Sequence, residues 1–64
     1  MIDCKETVYY QGESIEVTYP AMILNYYAQD SLEIADDGIW VEYCDHDGET
    51  KFMYNCMTKE RVFV

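Results

Sequence analysis

Cys44, Asp45, His46 and Asp47 stand together in the chain, and Cys56 lies a short way beyond them. These ligand types suit zinc, which takes four nitrogen or sulfur donors in a tetrahedron. With Cys4 the chain holds three cysteines and one histidine, numerically a complete set. The spacing argues against it. There is no C-x2-C pair and no second histidine, and Cys4 would have to be recruited from the other end of the chain. The plainer reading is a turn histidine flanked by solvated carboxylates, with no metal and no cofactor expected. Asp45, Asp47, Gly48 and Glu49 can also be laid on an EF-hand loop, which needs carboxylates at its odd positions, glycine at six and glutamate at twelve. Gly48 at six puts Tyr43 at one and Tyr54 at twelve, so both ends fail.

Catalytic arrangements fare no better. A nucleophile would need Cys or Ser beside His and an orienting acid. Cys44 and His46 are two residues apart, about 6.6 Å along a strand, too far for a direct hydrogen bond unless the turn curls. The three glycines are isolated at turn positions, so no Gly-rich loop cradles a phosphate. Thirteen acidic residues offer no privileged pair for glycoside chemistry. A chain of 64 residues also leaves little room for both a cleft and a scaffold. We expect no enzyme.

The elements that must carry these residues read as strands. Gly38 to Cys56 is a β-hairpin: Ile39, Val41 and Tyr43 alternate with Trp40, Glu42 and Cys44, and Phe52, Tyr54 and Cys56 alternate on the return. Asp47-Gly48 marks its turn, since that pair tolerates positive φ. Ile2 to Tyr10 and Ser14 to Tyr19 form an earlier hairpin around Gln11-Gly12. Pro20 closes it, and Met22, Ile23, Tyr26 and Tyr27 then fall at helical spacing, so a short helix is expected over 20–29, with a buried strand as its competitor. Ser31 to Ala35 is a short strand with Leu32 and Ile34 inward. The Asp36-Asp37-Gly38 turn joins it to the hairpin, and Arg61 to Val64 ends the chain as a last strand. The expected class is mainly β, or α+β: one domain over 1–64, a five- or six-stranded antiparallel sheet or small barrel with one helix. Such a sheet keeps one apolar and one wet face.

Charge is the strongest feature. The net charge is −9, and between Lys5 and Lys51 lie eleven carboxylates and no Lys or Arg. A one-sign field of this kind steers basic partners and repels nucleic acid and anionic membranes. Direct nucleic-acid binding, which rests on Lys and Arg, is opposed. Three cysteines are an odd count, so a disulfide framework is not expected. Met1-Ile2 runs into Asp3 with no basic or apolar leader pattern, and no apolar run approaches a membrane span of about 20 residues. The cytoplasm is the expected compartment.

Seven tyrosines are the second feature. A small core cannot hide all their hydroxyls, and surface Tyr favours interfaces. In the pairs Tyr9-Tyr10 and Tyr26-Tyr27, a strand would turn one ring in and the other out. Carboxylates beside aromatic anchors suit a protein that docks onto a basic groove of another protein. Residues two apart on a strand, such as Asp45 with Asp47 or Asp47 with Glu49, would repeat at about 6.6 Å, a spacing of the order of a nucleic-acid backbone. The candidate partner-binding residues are Glu33, Asp36, Asp37, Glu42, Asp45, Asp47 and Glu49, with Tyr10 and Tyr27. In size and charge the chain resembles the small DNA-mimic and anti-defence proteins of bacteriophages, a resemblance of composition that covers no motif. It implies an inhibitor or adaptor of a nucleic-acid-handling protein. The alternative is a structural or accessory domain that pairs edge to edge as a homodimer.

Overall fold

The computed structural model describes residues 2–64; Met1, the first residue of the expected domain, lies outside the described residues. Seven strands follow one another: β1 (Asp3–Tyr10), β2 (Glu13–Pro20), β3 (Met22–Ile23), β4 (Tyr26–Ala35), β5 (Gly38–Cys44), β6 (Lys51–Asn55) and β7 (Arg61–Phe63). Every pairing is antiparallel. The β1–β2 hairpin is a sheet of two strands, and β3 to β7 form a five-stranded meander in chain order. The mainly β class expected from the sequence is what the chain adopts. The single sheet of five or six strands is replaced by two sheets, because the first hairpin lies across one face of the meander instead of extending it.

That hairpin turns at Gln11 and Gly12, both at positive φ (52° and 81°). Positive φ at both loop positions matches the right-handed twist of the strands. Its register, Cys4 opposite Tyr19 and Val8 opposite Ile15, gives an inner row of Cys4, Val8, Tyr10, Ile15, Val17 and Tyr19. These side chains pack against Ile39, Val41, Tyr43 and Phe52 of the meander. Tyr43 stacks on Phe52 with centroids 5.1 Å apart, and its hydroxyl donates to the Pro20 carbonyl at 2.6 Å. One side chain thus joins the two sheets by an apolar face and a polar tip, as buried tyrosines usually do.

The helix expected over 20–29 does not form; among the described residues there is none. Leu24 and Asn25 reverse the chain, so that Ile23 pairs with Tyr26 and Met22 with Tyr27. Ala28 N–H donates to the Ala21 carbonyl at 3.0 Å, and Ala21 N–H to the Ile2 carbonyl at 3.1 Å. The apolar residues that mimic a helical stripe serve the two faces of a sheet. Tyr26 points inward, edge-on to Phe52 at 4.8 Å, and Tyr27 points outward to His46. The turn holds Leu24 at φ 56°, a conformation costly for a bulky side chain.

β4 therefore begins earlier than Ser31. Its register shifts between Ala28 and Leu32, so Gln29, Asp30 and Ser31 together face Glu42. Asp30 takes φ 56° in this bulge. A shift of two residues preserves the face, and Leu32 still meets Val41 in the core. Ile34, expected inward, is 51% exposed at the end of the sheet.

Candidate functional site

The β1–β2 hairpin covers one face of the meander and leaves the other largely open, although Asn55 and Cys44 are buried on it. The register fixes what that outer face carries. One row across it reads Glu33, Trp40, Asn55; the next Glu42, Met53, Val62; the last Met22, Tyr27, Cys44, Lys51. Trp40 is placed there by parity, since Ile39 and Val41 on either side of it are fully buried on the inner face. Glu33, Trp40, Met53 and Val62 line a shallow depression of about 270 Å3. The Trp40 indole N–H donates to Asp37 Oδ1 at 3.0 Å, which fixes the ring at the β4–β5 turn.

That turn is also anchored from the Trp40 side of the sheet, at the end of β6. Asn55 is fully buried. Its amide donates to the Asp37 carbonyl at 3.1 Å, and its Oδ1 accepts from Met57 N–H at 2.8 Å and Thr58 N–H at 3.1 Å. Gly38 makes room for it: a Cβ there would stand 2.4 Å from Asn55 Oδ1, at φ 143°. From the other layer, the Tyr10 hydroxyl donates to the Asp36 carbonyl at 3.2 Å.

The carboxylates chosen from the sequence fall into two groups. Glu33, Asp36, Asp37 and Glu42 gather around Trp40 and its turn. Asp45, Asp47 and Glu49 lie in the loop after β5; the seven residues of that strand put this loop about 20 Å from the Asp36-Asp37 turn, with Glu42 between the two. Tyr27 is on the outer face but at this far end, its hydroxyl 3.0 Å from His46 Nε2. Tyr10 braces the turn from the hairpin and does not lie on the outer face.

The ladder of carboxylates expected along 45–49 is not formed, because the loop folds back on itself. Asp45 N–H donates to the Thr50 carbonyl at 3.1 Å, Gly48 N–H to the Asp45 carbonyl at 3.2 Å, and Glu49 N–H to Asp45 Oδ1 at 3.0 Å. Desolvation pushes the Asp45 carboxyl up, but hydrogen bonds from the backbones of Thr50, Glu49 and Gly48 and from the Thr50 side chain hold it below the ordinary carboxylate range. On the outer face Lys51 Nζ lies 3.9 Å from Glu42 Oε2, and the Cys44 thiol donates to the same oxygen at 3.5 Å. Burial, then that hydrogen bond, pushes the Cys44 thiol up, away from nucleophile chemistry.

The cysteines do not converge. Cys44 shares the outer face with Lys51, Cys56 belongs to the core, and both are free, as is Cys4. Among the described residues no group of three or more His, Cys, Asp or Glu is arranged to hold a metal. No helix among them is long and apolar enough to cross a membrane.

Sequence reasoning on charge alone passes over Trp40, Met53, Val62 and Asn55. The first two could have been found from the alternation that buries Ile39, Val41 and Phe52 and turns Tyr54 toward the core. Asn55 carries no such signal. No protein-family model, curated protein or solved structure matches the chain.

Proposed function

We propose that this chain is a small acidic binding protein, an inhibitor or adaptor, that docks through the outer face of its meander onto a basic surface of a nucleic-acid-handling protein. The observation that carries this reading is the uncovered face on which Trp40, Met53 and Val62 sit among Glu33, Asp37 and Glu42. Protein interfaces have an apolar centre and a polar rim, and buried Trp anchors often dominate their energy. The rim here is acidic, and the net charge of −9 would draw in a Lys/Arg-rich partner. The target surface in this reading is one built for DNA or RNA, which the carboxylates occupy in its place, as in a phage-type DNA-mimic or anti-defence protein. The role is non-catalytic and needs no cofactor. Free cysteines fit a reducing cytoplasm.

A capture experiment tests it. The protein is the bait in a cell lysate, washed at low and high salt, beside a Trp40→Ala bait. We expect a nucleic-acid-handling protein held at low salt, released at high salt, and lost with Trp40→Ala by about 30-fold or more, the scale of an interface hot spot. Retention of the same partner by both baits would remove the outer face from the interface. Asp36→Lys should also weaken capture while preserving the fold, because the side chain is exposed and only its carbonyl is used.

A second reading has its own observation. β7 is an edge strand whose Val62 and Phe63, with Val64 just after it, are 50%, 63% and 87% exposed. Val64 N–H and Glu60 C=O bond to β6, so by ladder alternation the Arg61 and Phe63 backbone groups face outward. Lys51, Lys59 and Arg61, three of the four bases, gather at β6–β7, where self-repulsion is least. A homodimer paired through this edge would survive high salt, and sedimentation at both salt concentrations separates the two readings.

A further inference from the structure

We propose that the depression beside Trp40 is the seat of a single basic side chain of the partner, an arginine before a lysine, with its guanidinium on the indole face and Glu33 as its counter-ion. This rests on the docking reading above and names the group that the docking face would recognise.

The lining has one part for each part of such a side chain. Met53 and Val62 supply an aliphatic wall, against which a long basic residue lays its methylene stem. Trp40 supplies the ring, and Trp is the best aromatic surface for a cation. Glu33 is the cross-strand neighbour of Trp40, with Cβ atoms about 4.5–5.5 Å apart in such a pair. A cation over the indole is therefore within reach of the Glu33 carboxylate.

The surroundings leave Glu33 for this role. Among the described residues the only ion pair is Lys51 with Glu42. Glu42 thus has an internal cation and Glu33 has none. The polar edge of the indole is also taken, because its N–H is given to Asp37 Oδ1. What the ring still offers a ligand is its face. An apolar side chain alone would fill the wall and leave Glu33 unmatched. A phosphate or a carboxylate would meet Glu33, Asp37 and Glu42 with like charge. Arginine is favoured over lysine because its planar guanidinium stacks and is more weakly hydrated.

Trp40 is the only tryptophan, so its indole N–H resonance and its fluorescence report this place alone. The intact protein would be titrated with N-acetyl-arginine amide and, separately, with N-acetyl-norleucine amide, which has a stem and no charge. We expect a saturable shift of the Trp40 indole and of the Glu33 and Val62 signals with the arginine probe, and none with norleucine. Glu33→Gln should raise the dissociation constant about fivefold, the scale of one exposed ion pair. Asp47→Asn removes the same charge at the far end of β5 and should change it less than twofold. Equal shifts with norleucine, equal effects of Glu33→Gln and Asp47→Asn, or no saturable shift at Trp40 would each overturn the proposal. The docking reading fails separately. A partner captured through Trp40 while the arginine probe does not bind leaves the docking face and removes the seat. Arginine binding without a captured partner leaves the seat and removes the docking reading.

Discussion

Asn55 shows how much one polar residue can hold. It ends β6 fully buried, and its side chain satisfies the Asp37 carbonyl and the N–H groups of Met57 and Thr58. Asn55→Ala would leave three backbone groups without partners and a gap beneath the Trp40 turn. Each unsatisfied buried group costs about 1–3 kcal/mol, with water able to reach some of them. We expect a total loss of about 3 kcal/mol, measured as a lower urea midpoint, and a change in the Trp40 signal before global unfolding. A loss below about 1 kcal/mol would show that the turn does not need this anchor. Nothing in the sequence marks Asn55, since an asparagine near a strand end reads as a turn residue. Its role follows from the loop 56–60 closing over it. Trp40 differs. Its place on the outer face follows from alternation with Ile39 and Val41, and what charge-based reading obscures is that the carboxylates and the ring form one surface.

At the scale of elements, the legible parts are those whose signal is local. Alternation and a Gln-Gly or Asp-Asp-Gly turn set the two hairpins and the meander, with strand limits close to those expected except at β4, which begins at Tyr26 and not at Ser31. The segment Ala21 to Ala28 was illegible for a physical reason: its apolar spacing satisfies a helix and a tight hairpin equally. The choice was made by pairing with β5 and by Tyr26 packing on Phe52 and Phe63. Leu24 carries the cost of that choice. It sits at φ 56° and is 71% exposed, so its side chain returns little burial energy. The left-handed conformation costs about 1–2 kcal/mol for such a residue, and glycine removes it at an entropic cost of about 0.5–1 kcal/mol. Leu24→Gly should therefore raise stability by about 0.5 kcal/mol, read as a small upward shift of the urea midpoint. A fall of 1 kcal/mol or more would mean that Leu24 makes a contact the exposed turn does not suggest.

The whole molecule is acidic outside and holds four protonated acids inside, and the two facts act at different pH. Burial pushes Tyr43 well above the ordinary tyrosine range, with Cys56, Tyr54, Cys4 and Tyr19 adding to it. Tyr19 is raised by burial and then by Cys4. Cys44 is raised by burial and by Glu42; Cys56 is raised by burial, partly offset by Lys59. In every case the folded state holds its proton more tightly than the unfolded chain. Stability from these groups is complete below their ordinary values, about 8.5 for Cys and about 10 for Tyr. Above those values the unfolded chain loses protons first, and stability must fall as pH rises. We expect the urea midpoint to be flat from pH 6 to 8, to decline from about pH 8.5, and to decline more steeply above about pH 10. Tyr43→Phe separates the contributions. It loses the hydrogen bond to Pro20, at about 1 kcal/mol, but it should flatten the curve above pH 10. A midpoint that stays level to pH 11, or a Tyr43→Phe curve parallel to the parent, would mean that Tyr43 ionises without opening the seam between the hairpin and the meander. The same seam holds the outer face in shape, so the alkaline loss of fold and the loss of any Trp40-dependent binding should coincide.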